Sequence, residues 1–293
     1  MNNIKGLTMT MIFESESANY GEGIGNVTSL KKISRDGGRA YTYISRQALR
    51  YNIINQMGCD NTPLGLDGEV IQFAPDATIE EYPEIDLFGY MKTKKPVKTR
   101  SAVARLSNAI ALETFNADLD FLTNKALLDR YNEINDKKKD GGNIAQSEIH
   151  KSYYCYTVTI DLDKVGIDLN DGIDLDSEEK CNRVIKLLDI IKFLYRDIKG
   201  RRENFSPIFA IGGVYSIKNP FFENRINCFN NSINLESIES VLKLDKEISE
   251  NTKVGLIKGV FRNNDDIVEK LNAVDMAQFF IDIKNDVKAY YEV

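Results

Sequence analysis

The chain has 293 residues, of which 42% are hydrophobic, so it can bury the core of one large domain or of two smaller ones. It has no run of about 18 apolar residues, and its N-terminus lacks the basic segment and the small-residue cleavage site of a secretory signal. A membrane span and secretion are therefore not expected. The net charge of −6 argues by itself against a nucleic-acid binder.

The four cysteines are far apart in the sequence, and none of their spacings matches a zinc site. A chain of this length rarely depends on a disulfide framework. We therefore expect a cytoplasmic protein without a cofactor, in which the cysteines are free and largely buried thiols: Cys59, Cys155, Cys181 and Cys228.

The first part of the chain predicts a strand, a loop, a second strand and a helix. Apolar residues alternate with threonine in "IKGLTMTMIFES", as expected for a strand with one buried face. The segment "ANYGEGIGNVTSLKKISRDGGRA" predicts a long glycine-rich loop, and "RAYTYI" predicts a strand. A helix is expected over about 45–56, with Leu49, Ile53 and Met57 on its buried side.

The rest of the chain predicts strands alternating with long helices. Strands are expected at "IDLFGYM", "KSYYCYTVTIDL", "SPIFAIGGVYSI" and "KVGLIKGVF", while "RSAVARLSNAIAL" fits a strand or a short helix. Helices are expected over about 177–199, 235–248 and 265–287. Asp176 and Glu179 have N-cap spacing at the first of these helices, and Gly200 lies beyond its end.

This order of elements predicts an α+β fold with a βαββαβ, ferredoxin-like core. Such a core presents an open sheet face, which is the platform that RNA-recognition modules use.

Positive charge is concentrated in two stretches of this acidic chain. Residues 24–57 contain six basic residues and one acid, Asp36, while residues 90–112 contain six basic residues and no acid. The stretch "DLDKVGIDLNDGIDLDSEE" is the reverse. A chain with segregated charge can be acidic overall and still carry a basic groove. The alternative is a set of solvated surface lysines, above all in the second stretch.

Two arginines at the start of the predicted helix pose a specific question. Arg46 falls in the first helical turn, and Arg50 follows one turn later on the same side. The partial positive charge of a helix N-terminus should repel Arg46, unless an anion binds there. A helix start with free N–H groups is a ready anion site. Arg50 alternatively forms an ion pair within the protein.

Motifs for catalysis or nucleotide binding are weak. "GEGIGN" has asparagine where a dinucleotide-binding loop has its third glycine, and no phosphate-loop motif with lysine occurs. The only histidine, His150, has no supporting triad motif. Asp36 could bind a metal beside a phosphodiester, but an aspartate in "RDGG" is more typical of a turn.

An acidic cluster could attract a divalent ion, although it lacks EF-hand spacing, and a solvated acidic loop is the simpler interpretation. Its members are Asp161, Asp163, Asp168, Asp171, Asp174 and Asp176.

Several segments together resemble a known family. They are "NYGEGIGNVTSLKKI" followed by "YTYISRQALRYNI", then "LFGYM", "RSAVARLSNAIAL" and "YYCYTVTIDLDKVGI". From residue 4 to about 219 they resemble the Cas-seven backbone subunit of type I CRISPR surveillance complexes (Cascade), most closely the DevR autoregulator branch of subtype I-B. The resemblance implies a single RRM-like domain, residues 1–293, with a palm, a fingers insertion at about 58–85 and an extended thumb at about 113–151.

The resemblance also implies a function. The implied function is that of a non-catalytic subunit, which polymerises head-to-tail along the CRISPR RNA (crRNA) for recognition of target DNA in antiviral defence. The implied partners are crRNA, the target DNA strand paired to the guide, further copies of the chain and other Cascade subunits, without a membrane.

The anion at Arg46 would then be RNA phosphate. Carried over by motif, the expected RNA contacts are Asn26, Lys31, Lys32, Ser45, Arg46, Gln47, Arg50, Lys98, Arg100, Gly212 and Gly213. An apolar residue near the thumb tip, Ile134 or Ile144, would be a wedge between bases.

Two other functions stay open. Type III relatives of the family cut target RNA with an aspartate in the loop where Asp36 lies, so the chain could be a metal-dependent ribonuclease. The older name of the branch indicates a stand-alone nucleic-acid-binding regulator, although no helix-turn-helix is evident.

Overall fold

The computed structural model describes residues 4–16, 19–23, 25–136, 138–141 and 144–293. Parts of two predicted segments lie outside the described residues. They are Ala18 and Ile24 of the glycine-rich loop, and Lys137, Gly142 and Asn143 of the thumb tip.

The fold is a mixed α+β structure built on one large sheet. The strands are β1 (Gly6–Ser15), β2 (Val27–Thr28), β3 (Lys32–Arg35), β4 (Arg39–Ile44), β5 (Leu64–Asp67), β6 (Val70–Phe73), β7 (Tyr90–Lys92), β8 (Lys98–Arg100), β9 (Ala104–Leu106), β10 (Ala109–Ala111), β11 (Asp118–Thr123), β12 (Ile144–Ile149), β13 (Ser152–Asp161), β14 (Ile167–Asp168), β15 (Ile173–Asp174), β16 (Tyr195–Ile198), β17 (Arg201–Asn204), β18 (Phe209–Tyr215), β19 (Cys228–Phe229), β20 (Ser232–Ile233), β21 (Lys253–Leu256) and β22 (Val274–Asp275). The α-helices are α1 (Arg46–Met57), α2 (Pro83–Phe88), α3 (Lys125–Asn135), α4 (Ser177–Lys192), α5 (Leu235–Leu242), α6 (Lys246–Asn251), α7 (Asn264–Leu271) and α8 (Met276–Tyr291).

The main sheet is built around β1. In the part of the chain that the structure describes, this sheet has nine strands in the order β22-β21-β18-β1-β13-β10-β4-β3, with β9 also paired to β13. β1 is antiparallel to both of its neighbours, β13 and β18. The ten-residue strand β13 confirms the strand expected at "KSYYCYTVTIDL".

β1 is buried on both faces, whereas its alternating sequence predicted one buried face. Leu7 and Phe13 pack in a first hydrophobic core with α1, α4 and α8. On the opposite face, Ile12 packs in a second core with α5, α6 and α7. The hydroxyl groups of Thr10 and Thr157 lie 2.8 Å apart across β1 and β13, so the buried threonines satisfy each other. The predicted open sheet face is therefore covered in part.

The segment "IDLFGYM" is not a strand. It forms the end of α2, then Gly89, then the short strand β7. Pro83 is the first residue of α2, where its missing N–H has no helical partner to lose. Gly89 has a φ of 73°, and a Cβ at this position would clash with the backbone of residues 100–102. Pro83 thus starts a helix just before the apolar run, and Gly89 ends that helix within the run.

Three predicted helices are shorter than expected. α4 ends at Lys192, and residues 195–204 form the hairpin β16–β17, with Gly200 in its turn rather than at a helix end. Its predicted N-cap is confirmed, because the Asp176 side chain accepts a hydrogen bond from the Glu179 N–H. The other two each divide into two helices, α5 with α6 and α7 with α8. Asn272, with a φ of 50°, ends α7 in the left-handed conformation, and Asp275 caps α8.

Two loops also contain more structure than expected. The glycine-rich segment includes β2 and β3, and β3 pairs with β4 in a hairpin. "RSAVARLSNAIAL" forms β9 and β10, which both pair with β13 and are interrupted at Ser107 and Asn108.

Two smaller units lie outside the main sheet. One contains the hairpin β5–β6 and lies within the segment predicted as fingers. The other contains β11, α3 and β12, and β12 pairs with β2 in a separate three-stranded sheet. We call this second unit the thumb unit, because β11, α3 and β12 lie within the segment predicted as the thumb. Several large apolar side chains of this second unit are exposed: Leu119, Phe121, Leu122, Leu127, Tyr131, Ile134 and Ile144.

A buried ion cluster joins α2 to the rest of the fold. Asp86 of α2 is fully buried and accepts hydrogen bonds from Arg183 of α4 at 2.9 Å and Arg100 of β8 at 2.6 Å. The Gly166 N–H also donates to it at 3.0 Å. Burial raises the pKa of Asp86, and the two arginines oppose that rise.

Replacement of Asp86 by alanine should destabilise the fold by about 3–5 kcal/mol, because Arg100 loses its carboxylate partner and Arg183 keeps only Glu179. The matched control is Asp174→Ala, because Asp174 pairs with Lys180 while 71% of its side chain is exposed. The control should cost about 1 kcal/mol or less. Urea unfolding of both variants measures the difference, and equal losses would contradict a special role for the cluster.

Candidate nucleic-acid interface

The start of α1 is capped by two side chains. The Ser45 hydroxyl accepts a hydrogen bond from the Ala48 N–H at 3.3 Å, and Asn108 Oδ1 accepts one from the Arg46 N–H at 2.9 Å. The sequence predicted the helix at nearly these bounds. The expected row of free N–H groups is wrong in part, because two of them are already bonded within the protein. Ser45 is buried, so its hydroxyl acts as the cap.

Arg46 itself points outward from this capped start. No acidic residue lies in the first turn of α1, and within the described residues the Arg46 side chain has no ion pair. Its side chain lines three neighbouring clefts of about 280, 360 and 370 Å³. Gln47 is also exposed and lines the third cleft. Among the residues that the structure describes, none therefore pairs its negative charge with Arg46.

Arg50 has contacts within the protein. Its guanidinium lies 3.4 Å from Glu84 Oε1 and over the Phe88 ring, 5.1 Å from the ring centroid. The side chain is 36% exposed. The ion-pair interpretation therefore holds for Arg50, which still lines the third cleft beside Arg46.

The glycine-rich segment is tied to the thumb unit. Lys32 forms an ion pair with Glu148 of β12, and its Nζ lies 4.3 Å from the centroid of the Phe115 ring. Asn26 is exposed, and its carbonyl accepts a hydrogen bond from the Gln146 N–H at 2.9 Å. Lys31 is half-buried. Asn26 and Lys31 thus remain at the surface, while Lys32 is engaged inside the chain.

The second basic stretch has a largely internal role. Lys98 forms an ion pair with Asp171. Arg100 is buried and donates to Asp86 and to the backbone carbonyl of Ile167. These contacts do not favour the prediction that Lys98 and Arg100 bind RNA, because their charges are neutralised by acids distant in sequence.

Gly212 and Gly213 are buried in β18, so the sequence-based role of letting the chain approach RNA does not fit their position. A Cβ on Gly212 would clash with the Thr8 carbonyl, and one on Gly213 would clash with the Asn251 carbonyl. The glycines allow close packing of β18 against β1 and the end of α6.

The wedge candidates are both exposed on the thumb unit. Ile134 of α3 is 75% exposed, and Ile144 of β12 is 50% exposed.

Asp36 lies in the turn between β3 and β4, with a φ of 49°, and its carboxylate accepts a hydrogen bond from the Tyr41 hydroxyl at 2.8 Å. These are the features of a turn residue. Within the described ranges, no three His, Cys, Asp or Glu side chains are grouped as metal ligands would be.

The acidic cluster is not a solvated loop. Asp161 and Asp168 are buried; Asp161 pairs with Arg105, and Asp168 accepts a hydrogen bond from the Tyr90 hydroxyl at 2.7 Å. Its remaining members pair with lysines or cap α4: Asp163, Asp171, Asp174 and Asp176.

Sequence reasoning missed the polar residues that line the clefts beside Arg46. Asn108 and Ser107 lie at the break between β9 and β10, and Glu223 lies in a turn after β18. The polar pair within "RLSNAIAL" is the one local signal, because it interrupts an otherwise apolar run.

Two solved structures share this fold. Over 97% of this chain and 100% of the other, the structure is similar to a chain described as "CRISPR RNA-guided surveillance complex, pre-nicking", with a TM-score of 0.64 and 12% identity. A second, described as "CRISPR RNA-guided surveillance complex", gives a TM-score of 0.56 with 15% identity and covers 98% of both chains. The fold is therefore one that occurs in such complexes.

The sequence itself defines the family. The model of the CRISPR-associated negative auto-regulator DevR/Csa2 family matches residues 7–234, so the chain belongs to this family, and the resemblance read from the sequence is confirmed. No curated protein matches the chain. Among the described residues, no helix combines the length and apolarity needed to cross a bilayer.

His150 is a buried structural residue at the base of the thumb unit. Its Nδ1 lies 2.7 Å from the Thr42 hydroxyl, and its ring packs edge-on against Phe115. Burial lowers the pKa of His150, while Glu113 and the backbone of Thr114 act in the opposite direction.

The fold should therefore lose stability in acid through His150. The unfolded chain, with a histidine pKa of about 6.5, binds the proton more readily than the folded chain. The contribution is present above about pH 6.5 and is lost as the pH falls towards the lowered folded pKa. Urea unfolding at several values between about pH 7.5 and 5 should show a steeper loss for the parent than for His150→Gln. Parallel curves would contradict the prediction.

Proposed function

We propose that the chain is a non-catalytic RNA-binding backbone subunit of a type I CRISPR surveillance complex, and that Arg46 binds a phosphate of the crRNA. The observation that carries this proposal is the guanidinium of Arg46 at the capped start of α1, which has no ion pair with any described residue and lines three clefts. Family membership and the descriptions of the two similar structures support it.

The proposed contact surface is smaller than the one expected from the sequence. Its members are exposed or half-buried: Asn26, Lys31, Arg46, Gln47 and Arg50. Phosphate contacts of this kind position the strand without reading its sequence, as a scaffold for guide RNA requires. Ser45 supports the surface as a cap, and Lys32 supports it through Glu148.

The palm in this proposal is the centre of the main sheet. In chain order, β1, α1, β10, β13, α4 and β18 follow a βαββαβ pattern. β18, β1, β13 and β10 are neighbours in that order and are antiparallel, as in a ferredoxin-like sheet. Fingers would then correspond to the unit with β5 and β6, and the thumb to the unit with β11, α3 and β12.

The proposed assembly is a head-to-tail filament along the crRNA, with target DNA pairing to the exposed bases. Exposed apolar side chains of the thumb unit, such as Phe121 and Ile134, lie on the projecting part of the chain. Contact between the thumb of one copy and the next copy would bury such surface, and a contact whose rotation does not close gives an open helix.

A stand-alone regulator is the second candidate, because the family description includes negative auto-regulation. Duplex DNA bound tightly in the absence of RNA would favour it over the scaffold.

Replacement of Arg46 by alanine should weaken binding of single-stranded RNA to a similar extent for all sequences. The slope of log affinity against log salt should flatten by about 0.7, the value for one lost phosphate contact on a single strand. Arg50→Ala should have a smaller effect, because Arg50 already pairs with Glu84. Fluorescence anisotropy titrations at several salt concentrations measure both quantities.

The control is Arg262→Ala, since Arg262 is exposed and lines none of the three clefts. An Arg46 variant with the affinity and slope of the parent would refute this site.

Replacement of Ile134 by aspartate should leave the fold intact but reduce the number of copies that load on a guide-length RNA. The control is Leu169→Asp, because Leu169 is 92% exposed and lies outside the thumb unit. Electron microscopy and sedimentation should show a helical assembly for the parent and the control. A one-to-one complex of the parent at saturating protein would refute the scaffold.

A further inference from the structure

Glu223 lines two of the three clefts that Arg46 lines. The clefts have volumes of about 280 and 360 Å³, and both are lined by Arg46, Ser107, Thr157 and Glu223. These four residues therefore form the ridge between them. A strand that reaches Arg46 through either of these two clefts passes the Glu223 carboxylate.

The carboxylate of Glu223 has no partner among the described residues. Within the described part of the chain it forms no ion pair or hydrogen bond, although the side chain is half-buried. Burial raises the pKa of Glu223, and no neighbouring charge contributes to that shift. A partly desolvated carboxylate that no donor of the protein satisfies can accept a hydrogen bond from a ligand in the cleft.

The backbone holds Glu223 in a fixed position. Its N–H donates to the Pro220 carbonyl at 2.8 Å, and the Arg225 N–H donates to the Phe222 carbonyl at 3.1 Å, which closes the turn. The preceding residue, Phe222, is fully buried in the second hydrophobic core. The turn is therefore anchored to the core, and the carboxylate projects from a rigid base.

We propose that Glu223 accepts a hydrogen bond from a ribose 2′-hydroxyl of the strand whose phosphate binds Arg46, and thereby selects RNA over DNA. The inference rests on the proposed function. An ionised carboxylate only accepts hydrogen bonds, and the 2′-hydroxyl is the donor that every ribonucleotide offers whatever its base.

The same carboxylate acts against DNA. A deoxyribose strand brings its phosphates near Glu223 without a donor to satisfy it, so repulsion is not offset. In this proposal Arg46 binds a phosphate of the strand, and Glu223 distinguishes ribose from deoxyribose in the same strand. This selection is independent of sequence.

The test compares strands that differ only at the sugar. Oligouridine, oligodeoxyuridine and 2′-O-methyl oligouridine carry the same base, and uracil has no exocyclic amino group that could donate to a carboxylate. The parent should bind oligouridine about tenfold more tightly than either other strand, the value of one hydrogen bond to a charged group.

Glu223→Ala should bring the three affinities close together, with tighter binding of the deoxy strand because the repulsion is gone. Glu223→Gln keeps the shape and a neutral acceptor, so its preference should be intermediate. The control, Glu269→Gln, changes the same charge at an exposed position of α7 and should leave the preference of the parent unchanged.

Two results would overturn the inference. In one, the parent shows no preference for oligouridine. In the other, Glu223→Ala tightens all three strands equally, which means simple repulsion. If instead the parent binds none of the strands, or if Arg46→Ala binds them as tightly as the parent, the proposed RNA-binding function itself fails.

Discussion

The buried ion cluster around Asp86 determines which arginines near α1 and α2 are held by contacts within the protein. It fixes α2 against α4 and β8 through Arg183 and Arg100. The same short helix carries Glu84 and Phe88, the two contacts that hold the side chain of Arg50. A buried carboxylate that lines none of the three clefts thus engages Arg100, and its helix restrains Arg50, which leaves Arg46 as the arginine of α1 that faces solvent freely.

A second constraint acts at the break between β9 and β10. Ser107 and Thr157 exchange backbone and side-chain hydrogen bonds across the break, at 2.9 Å in both cases. The interruption lets Asn108 turn out of the sheet and bond the first N–H of α1. The sheet edge and the helix start are therefore built as one unit, and the clefts beside Arg46 are the space that this arrangement leaves in front of the sheet.

Local signals explain what could be predicted from the sequence. The N-cap spacing of Asp176 and Glu179 located the start of α4, and the alternation of β-branched and aromatic residues located β13 almost to the residue. The end of α4 was missed, because the chain turns into the β16–β17 hairpin after Lys192. "IDLFGYM" was misread because its apolar run hides a break at Gly89. The roles of Lys98, Arg100 and Glu223 depend on partners, or on their absence, far along the chain. Single-sequence patterns contain no such information.

The parallel pairing of β2 with β12 has a mechanical consequence. The glycine-rich segment that carries Asn26 and Lys31 is joined to the thumb unit by this pairing and by the ion pair of Lys32 with Glu148. A displacement of β12 must therefore move the glycine-rich segment as well. Any movement of the thumb unit therefore also moves Asn26 and Lys31, and a ligand that holds these two residues restrains β12 in return.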